Sequence, residues 1–177
     1  MLTPPVCGPH VTRRVPAKKG VDTDEPIDHA LGLSRGGFGT KLHLLTDGHG
    51  HLLQIVLTRG NRNECPMLGP LLASVVRRER RRPKRLAADK GYSADRIRSG
   101  LAGLGIEPVI PMRYNEHVHD RPRFNRRAYR GRNVVERAVG KLKEFRRIAT
   151  RYEKLASAYL AMLSLASIVL YLRVLDS

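Results

Sequence analysis

Two β-rich runs, residues 40–45 and 52–58, flank the tetrapeptide Asp47-Gly48-His49-Gly50. A turn-rich insert of that kind between half-apolar runs is a strong hairpin signal, and it commits the following chain to a sheet. After a polar break at 61–66 come a helical pattern at 65–76 and a short apolar strand at Leu86-Ala87-Ala88. A helix over 93–104 follows, with Ser93 as its N-cap and Gly105 as its stop. A further strand is expected at 107–111, where Val109 and Ile110 lie. Residues 113–127 read as a polar, Arg-rich loop, and helices are expected at 130–148 and 153–172. Residues 1–20, rich in proline and glycine and without periodicity, read as an irregular leader. Nothing upstream of Thr40 has strand character, so the expected class is α/β, with the pattern opening on a hairpin.

A chain of 177 residues suffices for one domain with a core. Its 33 Lys plus Arg against 16 Asp plus Glu leave a formal charge of +17, which predicts attraction to polyanions, nucleic acid first among them. Residues 77–85 alone hold seven basic side chains. As a solvated linker, that run would still bring positive charge beside the strand ending at Ala88. Cys7 and Cys65 make neither a disulfide framework nor a zinc site, which fits a reducing cytoplasm. His117, His119 and Asp120 read as a polar loop rather than a metal site. No apolar signal region follows Met1. The uncharged segment 155–172 is nearly long enough to span a bilayer, yet its serines and alanines favour a buried C-terminal helix and no membrane partner.

Residues 129–147 form an amphipathic stretch. On one helix, Tyr129, Arg132, Glu136 and Lys143 project within about a 60° sector. That sector borders the apolar stripe of Val134, Val135, Ala138, Val139, Leu142 and Phe145. Asp89 closes the apolar run 86–88, and Lys90-Gly91-Tyr92 turns the chain away from it. For an isolated Glu among basic residues, a solvated helix edge is the default. A carboxylate at a strand end facing another on a packed helix is instead how a divalent metal is held against phosphate.

The spacing Tyr129-x2-Arg132-x3-Glu136-x6-Lys143, preceded by Asp89-Lys90-Gly91-Tyr92, resembles the signature of DDE-type transposases of bacterial insertion sequences, in particular the insertion-sequence-5 group. The similarity extends from Asp22 to about Leu172 and includes His29-Ala30-Leu31-Gly32, Ser34-Arg35-Gly36-Gly37, Thr40-Lys41-Leu42-His43 and the run 145–152. The resemblance implies a ribonuclease-H-like transposase core over 21–177 and phosphoryl transfer on DNA with two Mg²⁺ ions. It makes Asp89 and Glu136 the catalytic, metal-holding carboxylates, and Tyr129, Arg132 and Lys143 the DNA contacts. Insertion-sequence ends and target DNA become the expected partners, with a homo-oligomer as a further one.

One departure is central. The family's first catalytic Asp lies on a strand before the hairpin, and no such strand is legible here, so the core is expected to be N-terminally incomplete. Asp22, Asp24, Glu25, Asp28 and Asp47 are the upstream acids, none placed like a strand Asp. Read one nucleotide out of phase, Leu2-Thr3-Pro4-Pro5 can encode Asp-Ser-Thr. In the same phase, 11–16 can encode His-Ala-Ala-Gly-Ala, and Lys18-Lys19-Gly20 can be written as an adenine run. The expectation is therefore an out-of-frame leader and a chain inactive by itself. The alternatives are a non-catalytic DNA-binding remnant that regulates transposition, and a metal nuclease with a different third carboxylate.

Overall fold

The computed structural model describes residues 6–14, 26–34, 37–78, 83–114 and 124–175. Among the described residues the strands are β1 (Val6–Arg14), β2 (Gly32–Ser34), β3 (Gly37–Thr46), β4 (Leu52–Arg59), β5 (Arg85–Ala88) and β6 (Glu107–Val109). Its helices are α1 (Leu68–Arg78), α2 (Asp95–Gly103), α3 (Arg126–Arg130), α4 (Asn133–Lys143), α5 (Arg146–Ala149) and α6 (Ala156–Leu175). The hairpin β3–β4 forms as expected, with Asp47 accepting the His49 and His51 backbone N–H groups at its turn.

β1 corrects the expected irregular leader. It runs antiparallel to β3 and parallel to β5, with Cys7 paired to both Leu45 and Ala88. β6 continues the sheet in parallel beyond β5, while β4 and β2 both pair with β3. The strand before the hairpin is therefore present, and it is central. Local sequence concealed it because Gly8 and Pro9 both weaken a strand signal, and Pro9 has no N–H to give the ladder. The register also shifts between His10 and Thr12, so no clean alternation reaches the sequence. Here tertiary pairing on both edges outweighs propensity. Residues 2–5, to which the Asp-Ser-Thr phase refers, lie outside the described residues.

The pleat sends alternate side chains into two cores. Leu45, Leu86 and Ala88 pack with Leu71, Tyr92, Ile97 and Leu101 under α1 and α2. Leu42, Leu44 and Ala87 pack with Val135, Val139, Leu142, Tyr159 and Leu163 under α4 and α6. Gly105 (φ +72°) stops α2 as expected, but Ser93 is not its cap. Ala94 takes that place, and the Ser93 hydroxyl accepts from Arg98 instead.

The single helix expected at 130–148 is divided. Gly131 and Arg132 join α3 to α4 through i→i−3 hydrogen bonds from Arg132 N–H to Tyr129 and from Val135 N–H to Arg132. Tyr129 thus belongs to α3, ahead of the helix that carries Glu136. The C-terminal helix is also less buried than expected: only Tyr159, Leu163 and Ala166 of α6 are fully covered.

One buried polar chain crosses the first core. His43 lies with Nδ1 3.2 Å from the Tyr92 hydroxyl and Nε2 2.8 Å from Thr58 Oγ1. Burial pushes the His43 pKa down to about 4 from 6.5, helped by Lys41 and opposed by Glu64. The unfolded chain binds this proton below 6.5 and the folded chain only near 4, so stability falls as pH falls through that window. The loss should reach about 3 kcal/mol. Urea titrations across that range should show it, and His43→Gln, which does not titrate, should flatten the slope.

Candidate functional site

β5 delivers Asp89 at its end in extended conformation (φ −67°, ψ 158°), and the chain then folds into a 3₁₀ turn over Lys90–Tyr92. The turn closes on itself through the Tyr92 N–H to the Asp89 carbonyl and the Ser93 N–H to the Lys90 carbonyl. Three further groups clamp it. Arg113 donates from Nε to the Lys90 carbonyl at 3.1 Å and from Nη2 to the Gly91 carbonyl at 2.9 Å. Cys65 Sγ donates to the same Gly91 carbonyl. The Tyr92 ring is buried, with its hydroxyl against His43. Asp89 therefore stands half-buried on a fixed turn rather than on a loose loop.

α4 supplies the second carboxylate. Its apolar stripe of Val134, Val135, Ala138, Val139 and Leu142 is buried on the sheet, which leaves Glu136 at the exposed edge of its first turn. Arg132 Nη2 lies 2.6 Å from Glu136 Oε1. The same guanidinium sits 5.6 Å from the centre of the Tyr129 ring. Burial opposes its charge, yet Tyr129, Asp89 and Glu136 outweigh that cost and push the Arg132 pKa up. One arginine thus lies in the field of both carboxylates and of the phenol, as groups around a shared cation do.

β1 closes the site from below. Because Cys7 pairs with Ala88 in parallel, Gly8 lies level with Asp89 on the neighbouring strand. A Cβ at Gly8 would meet Val135 Cγ1 at 2.9 Å and Arg132 Nη1 at 3.8 Å. That Nη1 is buried and has no hydrogen-bond partner among the described residues. An unpaired buried guanidinium N–H is costly, and here it faces the one position on β1 that carries no side chain.

Tyr129, Arg132 and Glu136 come together, and Asp89 acts on the same arginine. Lys143 does not join them. It is exposed at the far end of α4, about 10 Å along the axis from Glu136 at 1.5 Å per residue. Asp47 is taken up by His51, whose Nδ1 lies 2.8 Å from its Oδ2, and Asp28 is exposed on the 3₁₀ turn Ile27–His29. Asp22, Asp24, Glu25, His117, His119 and Asp120 lie outside the described residues. Among the described residues no group of three or more His, Cys, Asp or Glu is gathered for a metal. Sequence reasoning did not single out Gly8 or Arg113, and it met His43 only within the run Thr40-Lys41-Leu42-His43 that carries the resemblance.

A family profile described as the transposase DDE domain matches residues 32–171. The chain is 37% identical over 133 residues to a protein named the transposase for insertion sequence element IS402 from Burkholderia cepacia, over 72% of this chain and 60% of that one. It is 31% identical over 134 residues to the corresponding protein for element IS6501 from Brucella ovis, over 76% and 98%. The chain thus spans about 60% of the first relative and nearly all of the second. Among solved structures, it resembles a chain in the cryo-EM structure of the simian T-cell lymphotropic virus intasome in complex with PP2A regulatory subunit B56 gamma. That likeness has a TM-score of 0.51 at 14% identity, over 94% of this chain and 48% of that one, and it is a likeness of ribonuclease-H-like fold.

The clamp on the Asp89 turn is testable by itself. Arg113→Ala should speed amide exchange at Tyr92 and Ser93 by about tenfold while the strands of the sheet keep their protection. Unchanged exchange at those two amides would show that Arg113 does not hold the turn.

Proposed function

Since this chain belongs to the DDE transposase family, we propose that it is the catalytic-core portion, with β1 as part of it, of an insertion-sequence transposase of the insertion-sequence-5 group. The carrying observation is that Arg132 pairs with Glu136 on α4 at 2.6 Å, while Asp89 at the end of β5 favours the charge of the same guanidinium. The family's chemistry depends on a divalent metal, and carboxylate oxygens suit Mg²⁺. Asp89 and Glu136 would hold it, and Arg132 would have to release Glu136 for that to happen. When bound, such ions supply an activated water or 3′-hydroxyl and stabilise the leaving oxygen. Tyr129 and Arg132 flank the carboxylates where a phosphate would lie, and Lys143 would meet the DNA further along α4. These contacts position the backbone and carry no sequence information. Cytoplasmic location follows from the same reading.

The charge of +17 supports DNA as partner. Binding by this chain should be insensitive to sequence and should weaken steeply along a salt series as counterion release loses its drive. Binding that ignores salt would count against it.

A second reading, a non-catalytic DNA-binding remnant that regulates transposition, is favoured by one observation. Among the described residues two carboxylates stand at the site where the reaction needs three, and glycine occupies the β1 position level with Asp89. Wild-type chain should therefore cut DNA poorly with Mg²⁺. Gly8→Asp combined with Val135→Ala, which removes the 2.9 Å obstruction, should place a carboxylate within reach of Arg132 and the other two acids. Mn²⁺ affinity should rise at least about tenfold, as adding a ligand to a two-ligand site demands, and Asp89→Ala or Glu136→Ala should reverse the gain. A product translated in the Asp-Ser-Thr phase should likewise regain cleavage and end joining. Robust Mg²⁺-dependent cleavage by the unaltered chain would refute this account and direct attention to an acid between Asp22 and Asp47.

A further inference from the structure

The run Thr40-Lys41-Leu42-His43 holds a lysine that the catalytic reading leaves without a role. Lys41 Nζ lies 2.7 Å from the Arg62 carbonyl and 2.7 Å from Glu64 Oε1. One ammonium group thus ties down the connection between β4 and α1. Backbone bonds hold the same connection. The Gly60 N–H reaches the Gly39 carbonyl at 3.1 Å and the Arg62 N–H reaches the Arg59 carbonyl at 3.0 Å. The Cys65 N–H is taken by Asn63 Oδ1 at 3.0 Å. This connection also meets the turn that follows Asp89. Cys65 Sγ donates to the Gly91 carbonyl, and a Cβ on Gly91 would lie 3.4 Å from Glu64 Cδ. Residues 59–64 are therefore fixed against the turn Lys90–Tyr92, and through it against Asp89.

The pleat decides on which side of Asp89 they stand. Leu42, Leu44 and Ala87 face the core under α4, whereas Ala88 and Tyr92 lie in the core under α1 and α2. His43, bonded to Tyr92, belongs to that second face, and Lys41 two residues earlier shares it. Asp89 alternates with Ala88 and so turns toward α4, where Arg132 and Glu136 stand. The connection and the Lys90 turn flank it from the other side. Two cations point outward there. Arg62 and Lys90 are both exposed, and among the described residues neither enters an ion pair. Glu64, the one acid of residues 59–64, is already paired with Lys41. A rigid backbone that presents an uncompensated guanidinium and an ammonium beside a catalytic carboxylate is built for phosphate oxygens.

We propose that Arg62 and Lys90 are positioning residues, which hold phosphates of the bound DNA from the side of the sheet away from α4. The strand then crosses Asp89 between two cationic walls, Arg132 on one side and Arg62 with Lys90 on the other. Arg62 grips with its planar fork, and Lys90 acts as a point charge. A single wall would leave the backbone free to roll about α4. The second one fixes which phosphate lies over the carboxylates. This inference rests on the DNA reading given above.

The test is a salt series of binding by the full 177-residue chain to a duplex of arbitrary sequence, with circular dichroism as the check on folding. Arg62→Gln and Lys90→Gln should each flatten the slope of log affinity against log salt by about 0.9, the loss of one phosphate contact, and the double variant by about twice that. Arg62→Lys keeps the charge and should keep the slope, with affinity several-fold lower because the fork is gone. Lys41→Met with Glu64→Gln, neutral in net charge, should loosen the connection and weaken binding at unchanged slope. Arg96→Gln, at an exposed arginine of α2, measures what the loss of any one positive charge does. If wild-type binding falls steeply with salt while Arg62→Gln and Lys90→Gln do no more than Arg96→Gln, the second wall is refuted and the DNA reading stands. Wild-type binding that ignores salt overturns both.

Discussion

The double pairing of β1 holds the site together. By lying antiparallel on β3 and parallel beside β5, it joins the hairpin half of the sheet to the half that carries Asp89. Without it, β3–β4 and β5–β6 would be two small sheets, each with an unpaired edge. The pairing also sets Gly8 beneath α4, close enough that Val135 fills the space a side chain would need. The geometry of the site is therefore a consequence of sheet register, and register is specified by the whole sheet rather than by any one strand.

A second constraint fixes the C-terminal layer to this sheet. Arg151 is almost wholly buried. Its guanidinium donates to the carbonyls of His29, Glu153 and Lys154 and to the hydroxyl of Thr40, and it lies 5.0 Å from the centre of the Tyr159 ring. Thr40 in turn donates to the Ala30 carbonyl. Such hydrogen bonds make a buried charge tolerable. One side chain thus ties the 3₁₀ turn before β2, the start of β3 and the connection into α6. That fixes the start of α6 against the sheet.

Arg132 shows how a site can be assembled and yet be turned to another state. It bonds Glu136, feels Asp89 and stacks near Tyr129, so the same cation that would greet a phosphate now neutralises the acids that would hold a metal. Its spare N–H, pointed at a glycine, marks where the charge balance of the site is unfinished.

Much of this was legible in the chain itself. The Asp47-Gly48-His49-Gly50 turn named the hairpin because its chemistry is local. The apolar positions of α4 named the buried face, and therefore left Glu136 on its edge. Asp89 was recognisable because three apolar residues precede it and a turn follows. β1 was not legible, because Gly8 and Pro9 carry no strand preference and only the two neighbouring edges make a strand of them. The break at Gly131, the loss of Ser93 as a cap to Arg98, and the exposure of α6 were likewise settled by partners distant in sequence. Local chemistry decided which residues could carry charge, turn or core. Long-range pairing decided which of them met, since contacts between distant segments depend on the register and packing of the whole.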